Sequence, residues 1–362
     1  MKIAILGTRG IPNNYGGFEQ FAEYLSSYLA NKGHEVYVYC SSSHPYQKSL
    51  WSKVNLIHIY DPENQLGTLG QFVYDLNCIL DSRKRDFDII LQLGYTSNSI
   101  WGWLFSSKPI IVTNMDGLEW KRSKYSKPVQ SFLKVAERIV LLWSDFLIAD
   151  SIGIKEYLLK KYKKQSQFIP YGSYSFHAPQ ENVLEQYSLK PFRYNMLIAR
   201  LEPENSIDII LNGASQSQDT FLVIGSFATK YGSYLTHKYR IYKNIKFLGA
   251  IYDIHILNNL RFFSNLYFHG HTVGGTNPSL LEAMGSQSLI CAHNNIFNKA
   301  ILEDDGYYFD KSEDVTSLIE KITKADTFNQ TKVKNNLKKI EELYSWPIVN
   351  KQYEEFLISC LK

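Results

Sequence analysis

Apolar positions along the chain fall into short runs that alternate with longer stretches of helical spacing. Lys2–Gly7 is a compact apolar run ending in glycine. From Phe18 onward the apolar residues Phe18, Phe21, Ala22, Leu25, Tyr28 and Leu29 repeat at helical intervals, which predicts a helix over Phe18–Asn31 closed by Gly33. Glu35–Cys40 then alternates as a strand does. Further buried-strand candidates are Ile57–Tyr60, Asp88–Gln92, Pro109–Asn114, Phe146–Asp150 and Gln167–Pro170. A second set is Tyr194–Ala199, Thr220–Ile224, Ile245–Leu248, Leu266–His269 and Leu289–Ala292. Short strands separated by helices imply parallel sheets covered by helices on both faces. The pattern is interrupted at 171–192, where Gly172, Pro179 and Pro191 stand among few periodic residues. The expectation is an α/β chain of two doubly wound, Rossmann-like domains, 1–170 and 193–345, joined by a linker at 171–192. The helical tail 346–362 is expected to pack back on the first domain.

Composition adds bounds. The chain has 362 residues, 44% hydrophobic and 20% charged, which is globular and long enough for two cores. The formal net charge is only +4, too mild to point to nucleic acid, but residues 1–170 carry 20 basic against 15 acidic side chains. Cys40, Cys78, Cys291 and Cys360 form no C-x-x-C pair, which predicts free thiols in a reducing compartment and no zinc site. No apolar run reaches the ~20 residues a spanning helix needs.

In doubly wound sheets, ligands bind beyond the carboxyl ends of the strands, and four candidate segments follow strands. Gly7-Thr8-Arg9-Gly10-Ile11-Pro12-Asn13-Asn14-Tyr15-Gly16-Gly17 links the first strand to a helix start. It reads either as an anion-binding loop or as a plain connection. It is not G-x-G-x-x-G, and no acidic residue follows the second strand, which argues against a dinucleotide oxidoreductase. The stretch Gly274 to Met284 places Asn277 at a helix cap and Pro278 at its first position. It reads either as a diphosphate cradle, with free amides after Pro278 and Glu282 one turn in to meet ribose hydroxyls, or as a plain capped helix with a surface Glu282. Arg200, at the end of a strand, suits phosphate oxygens or an interdomain ion pair. Asn114 to Arg122 packs Asp116, Glu119, Trp120, Lys121 and Arg122 together, either as an acceptor-sugar platform or as a solvated helix start. His269 and His271 lack the partners of a metal site; either a ligand hydrogen bond or a structural role suits them.

Together these stretches resemble glycosyltransferase family 4, of GT-B fold, with two lobes facing a central cleft. Ile5 to Pro12 through Tyr15-Gly16-Gly17-Phe18-Glu19, Asp116 to Arg122, Ala199 to Asn205, and His269-Gly270-His271 with Gly274–Met284 resemble the bacterial rhamnosyltransferase-type subgroup. The resemblance implies a retaining, metal-independent hexosyltransferase without a cofactor, moving L-rhamnose from dTDP-L-rhamnose to a lipid-linked saccharide in cell-surface polysaccharide synthesis. It implies donor contacts from Gly16, Gly17, Arg200, Thr276, Asn277, Pro278, Ser279, Leu280, Glu282, Phe297 and Asn298. Acceptor contacts would come from Tyr95, Asp116, Glu119, Trp120 and Arg122, and catalytic roles would fall to Asp116, Arg200 and Glu282.

The family usually carries a lysine where this chain has Asn205, and a carboxylate where it has Gly274. The missing carboxylate leads away from common UDP-glucose chemistry, and Asn205 leaves one cation fewer on the leaving group. With no carboxylate pair placed for double displacement, a same-face attack is expected, the departing phosphate taking the acceptor's proton.

Three basic clusters, Arg83-Lys84-Arg85, Lys121 to Lys127 and Lys160 to Lys164, suit either the anionic cytoplasmic face of the cell membrane or plain solvated helices. The competing readings are a family 4 transferase with a UDP-hexose donor, a nucleotide-sugar epimerase of the same fold, and a catalytically silent binding subunit.

Overall fold

The computed structural model describes residues 1–14, 16–122 and 125–362. Tyr15 of the first loop, and Ser123 and Lys124 of the second basic cluster, lie outside the described residues.

The chain forms two units. The first comprises Met1–Trp120, Tyr125–Tyr171 and Trp346–Lys362, and the second is built on Gly172–Ser345, with Lys121 and Arg122 grouped with it.

The strands of the first unit are β1 Lys2–Leu6, β2 Glu35–Ser41, β3 Leu50–Trp51, β4 Val54–Ile59, β5 Ile89–Leu93, β6 Ile110–Asn114, β7 Phe146–Ala149 and β8 Gln167–Phe168. They lie in the order β3-β4-β2-β1-β5-β6-β7-β8. All pairs are parallel except β3 with β4. The sheet is doubly wound, because the chain steps outward from β1 in one direction and then returns to add β5 on its other side. That reversal opens a crevice at the carboxyl ends of β1 and β5. Gly7 sits at it with φ +88°, and a Cβ there would come within 2.2 Å of the Leu93 carbonyl oxygen, so only glycine lets the two strand ends approach.

The second unit holds β9 Tyr194–Ile198, β10 Thr220–Ile224, β11 Ile245–Gly249, β12 Tyr267–His269, β13 Ile290–His293 and β14 Tyr307–Phe309. Their order is β11-β10-β9-β12-β13-β14, all parallel. The reversal falls between β9 and β12. Leu197, Phe221, Val223, Phe268 and Cys291 pack from the sheet against Ile210, Leu211 and Val315. In the first unit Ala4, Leu6, Tyr39, Ile57, Ile90 and Ile111 meet Tyr74, Cys78 and Ile79. All four cysteines are buried free thiols.

The strands read from apolar runs match within one to three residues at each end. Two strands have no such run. Leu50–Trp51 pairs antiparallel with β4 through a two-residue turn in which Ser52 and Lys53 both adopt positive φ. Tyr307–Phe309 is too short for periodicity to register.

The C-terminal helix Trp346–Cys360 belongs to the first unit. Its Tyr353 ring lies 4.8 Å from Phe21, and Trp346 lies 4.7 Å from Tyr24. Asn114 donates to the Tyr353 hydroxyl at 2.9 Å, and His34 meets Glu354 at 2.9 Å. Asn114 ends β6, so this helix buttresses the strand that leads to Asp116.

Candidate active site

In the second unit the candidate residues gather beyond the carboxyl ends of β9, β12 and β13. Asn277 caps the helix Pro278–Gly285, its side chain accepting the Ser279 amide at 3.0 Å, with Pro278 at the first position. The expectation of free amides after Pro278 is corrected here. Ser279 is bonded to the Asn277 side chain, and the amides of Leu280 and Leu281 donate to the Asn277 carbonyl at 3.0 and 3.2 Å. The Ser279 hydroxyl also faces inward, 2.9 Å from the Tyr267 hydroxyl. A well-made cap uses the donors that a phosphate would want.

The loop before the helix borders a pocket, although its Thr272 amide is bonded to the Glu204 carbonyl at 3.1 Å. His271, Thr272, Val273, Gly274, Gly275, Asn277, Phe297 and Asn298 line one small pocket. Gly274 takes φ +134°, a conformation that L side chains rarely adopt, so the backbone itself disfavours a carboxylate here. Thr276 is buried. The amide of Asn298 donates to the carbonyls of His271, at 3.2 Å, and His293, at 2.9 Å, and Asn295 donates to His271 as well, at 3.0 Å. The buried Asn298 therefore shapes the pocket wall rather than reaching into it, and Phe297 is left beside it.

Arg200 follows β9 and is exposed. Its carbonyl accepts the Asn205 side-chain amide at 2.7 Å. The buried Asn205 thus ties the loop that presents Arg200. The histidines report the local field. Burial, followed by the charges of Arg200 and Arg122, pulls the His271 imidazole down to about 3. Burial, then His271 and Arg261, holds His269 well below the usual histidine range. The two rings stack at 4.3 Å, and both nitrogens of the buried His269 lack a hydrogen-bond partner. Both imidazoles are therefore neutral, chiefly because burial disfavours their charged form, and the guanidinium charges act in the same direction. Among the described residues no group of three potential metal ligands occurs.

Glu282 is engaged by a residue that sequence reasoning missed. Arg261, only 1% exposed, donates from Nη2 to a Glu282 carboxylate oxygen at 2.6 Å and from Nη1 to Asn258 at 3.3 Å. An arginine in the apolar helix Ile254–Phe262 (IHILNNLRF) was the available signal. A cation there needs a buried anion, but 21 positions of separation hid its partner.

In the first unit Asp116 follows β6 with φ +48°, its amide bonded to the Asn114 side chain at 2.9 Å. Tyr95, just beyond β5, is buried. Its hydroxyl donates to the Gly117 carbonyl at 3.1 Å and accepts from the Glu119 amide at 3.3 Å. The same hydroxyl lies 3.4 Å from a Glu137 carboxylate oxygen, so its polar contacts are with the fold itself. Trp120 donates from Nε1 to Glu137 at 3.0 Å, and the Lys134 and Lys161 ammonium groups lie over its ring at 4.7 and 5.4 Å. Cations, rather than open solvent, lie against part of that ring.

Glu137, 1% exposed on the helix Lys127–Trp143, is the second residue the sequence reading missed. It collects the hydroxyls of Tyr157 at 2.6 Å and Tyr162 at 2.5 Å, the Trp120 indole and the Lys161 ammonium at 3.2 Å. Burial, then Glu137, pushes the Tyr157 phenol up. Glu137→Gln keeps one acceptor oxygen but loses the charge that several donors share. It is expected to lower stability by about 2 kcal/mol, read by urea denaturation followed through tryptophan emission.

No helix among the described residues is long and apolar enough to cross a membrane. Parts of the basic clusters are locally matched, Arg85 with Asp81 at 2.6 Å and Lys160 with Glu156 at 3.4 Å.

Comparison with known proteins adds the following. Residues 1–174 match the family model described as a domain of unknown function, DUF1972. No curated protein matches the chain. Solved structures do match along nearly its whole length. Sucrose-phosphate synthase from Thermosynechococcus elongatus has a TM-score of 0.82 at 16% identity, covering 99% of this chain and 98% of that one. HepE from Anabaena, in complex with UDP and glucose, has a TM-score of 0.76 at 17% identity, covering 99% and 100%. The α,α-trehalose 6-phosphate synthase from Burkholderia multivorans has 0.72 at 10%, covering 99% and 96%. The chain has the GT-B fold of these glycosyltransferases.

Proposed function

We propose that this protein is a retaining, metal-independent glycosyltransferase. Its second unit takes a nucleotide-sugar donor and its first unit takes a saccharide acceptor. The observation that carries the reading is the loop pocket beyond β12, where Gly274, Gly275 and Asn277 stand beside His271, whose imidazole is kept neutral by burial first and then by the charges of Arg200 and Arg122. A diphosphate gains most from such fixed positive charge as it departs, because the donors are in place before negative charge develops. Arg200 stabilises the leaving group, and the Gly274–Thr276 backbone follows the phosphates. Glu282, fixed by Arg261, receives the ribose hydroxyls. Asp116 orients the acceptor hydroxyl, and the departing phosphate takes its proton.

The donor is dTDP-L-rhamnose on the strength of the sequence resemblance, and the acceptor a lipid-linked saccharide at the inner face of the cell membrane. The UDP held by HepE favours a second reading, a UDP-hexose donor. The test is a thermal-shift titration with dTDP, UDP, GDP and ADP. One of these is expected to raise the melting temperature, since a ligand at a hundred times its Kd adds about 2.7 kcal/mol. Arg200→Ala should weaken that nucleotide at least tenfold. No shift with any of the four removes the transferase reading.

A further inference from the structure

We propose that the first unit carries a binding site for an uncharged sugar ring in the cavity beyond the carboxyl ends of β1, β2 and β4. This rests on the transferase reading, in which the ring belongs to the acceptor. The cavity measures about 360 Å³, within the range of small-ligand sites. Arg9, Ser41, Ser43, His44, Asp61 and Glu63 are among the residues that line it, and of the whole lining Arg9 and Asn14, both of the first loop, belong to the segments assigned above to the acceptor platform or the donor loops.

The charge chemistry of its wall selects the ligand. Arg9 donates from Nε and Nη2 to the two oxygens of Glu63, at 2.9 and 2.6 Å, a fork-to-fork pair that fixes both planes. Gln71 donates to the same carboxylate at 2.8 Å. Although burial opposes it, these bonds hold Glu63 below the usual carboxylate range. Asp61 is buried, with one carboxylate oxygen accepting the Glu63 amide at 2.9 Å. His44, also buried, is fixed by backbone on two sides, with Nε2 3.2 Å from the Pro12 carbonyl and Nδ1 accepting the Tyr46 amide at 3.2 Å. Ser41 and Ser43 share a hydroxyl hydrogen bond at 2.8 Å.

The wall therefore holds two carboxylates against one guanidinium, and that guanidinium is already matched to Glu63. A phosphate or carboxylate ligand would meet net negative charge. A ring of hydroxyls, each both donor and acceptor, meets carboxylate acceptors, serine hydroxyls and the outer edge of a neutralised arginine. The groups are held by bonds to one another, so little rotamer freedom is lost on binding.

Saturation-transfer NMR with the full-length protein tests the site. The probes are methyl glycosides of glucose, galactose, mannose, rhamnose and N-acetylglucosamine, with glucose 6-phosphate and inorganic phosphate as charged counterparts. At least one neutral glycoside is expected to receive saturation, and the charged probes none. Ser43→Trp, at an exposed position on the cavity wall, should abolish the signal without lowering the melting temperature. Asp61→Asn should weaken binding at least fivefold. Overturning results are no signal from any neutral glycoside, a signal unchanged by Ser43→Trp, or preferred binding of glucose 6-phosphate. The nucleotide titration described above runs on the same samples. A nucleotide that fails to bind defeats the transferase reading, whereas saccharide signals that fail while nucleotide binds defeat only this site.

Discussion

Glu282→Ala is expected to lower the stability of the second unit by roughly 3 kcal/mol, in addition to abolishing nucleotide binding. The reason lies under the site. Arg261 is almost fully buried, and Glu282 is the carboxylate that meets it at 2.6 Å. Removing one member of a buried ion pair leaves the other charge out of water and unmatched, which costs about 3–5 kcal/mol. The lower end is taken because Glu282 itself is 22% exposed. The guanidinium already has an unpartnered Nε, so a second loss is not easily absorbed. The double variant Arg261→Met/Glu282→Leu replaces both charges with apolar bulk and should recover most of the stability, because neither partner is then stranded. It should not recover nucleotide binding. Urea denaturation of the three proteins, followed by nucleotide titration of the double variant, separates the two roles. A double variant that binds nucleotide as the wild type does would show that Glu282 serves only Arg261.

The second large effect comes from Asp75, buried on the helix Thr68–Ser82. Burial pushes its carboxyl up to about 7, against the Ser97 hydroxyl that donates to it at 2.5 Å; Asp61 adds to the rise and Arg9 opposes it. The unfolded chain releases this proton near pH 4. Between about pH 4 and 7 the folded protein holds more protons than the unfolded one, so stability falls as pH rises through that window. Above it the full cost is present. At 1.36 kcal/mol per unit the cost approaches about 4 kcal/mol. Asp75→Asn preserves an oxygen for Ser97 and carries no charge. It is expected to raise stability by roughly 3 kcal/mol at pH 8 and to change it little at pH 4. Thermal melts at the two values check this, and equal effects at both would refute it.

Much of the fold was legible because it depends on local burial. A strand covered on both faces must be apolar throughout, and a helix covered on one face must repeat every three to four residues. Those requirements wrote β1, the helix Gly17–Asn31 and nearly every later strand into the sequence. The cap at Asn277-Pro278 was legible too, since few residues suit a helix start and each acts on its immediate neighbours. The same cap corrected the reading of the site: the sequence marked where the helix begins, and geometry then showed its first amides already taken. Trp120 followed a similar course. Its place near a strand end was clear from the chain, but the ammonium groups of Lys134 and Lys161 against its ring come from other segments.

By itself, then, the sequence determined the alternation of strands and helices, the two-unit division and the segments that stand beyond strand ends, because these follow from hydrophobic period and from turn and cap chemistry acting over a few residues. Only the tertiary structure decided which charges meet. Arg261 with Glu282, Glu137 with its tyrosines, and Arg9 with Glu63 are joined by distances in space that leave no period in the chain. A buried charge advertises that it needs a partner, but the choice of partner is made by how the helices lie on the sheets.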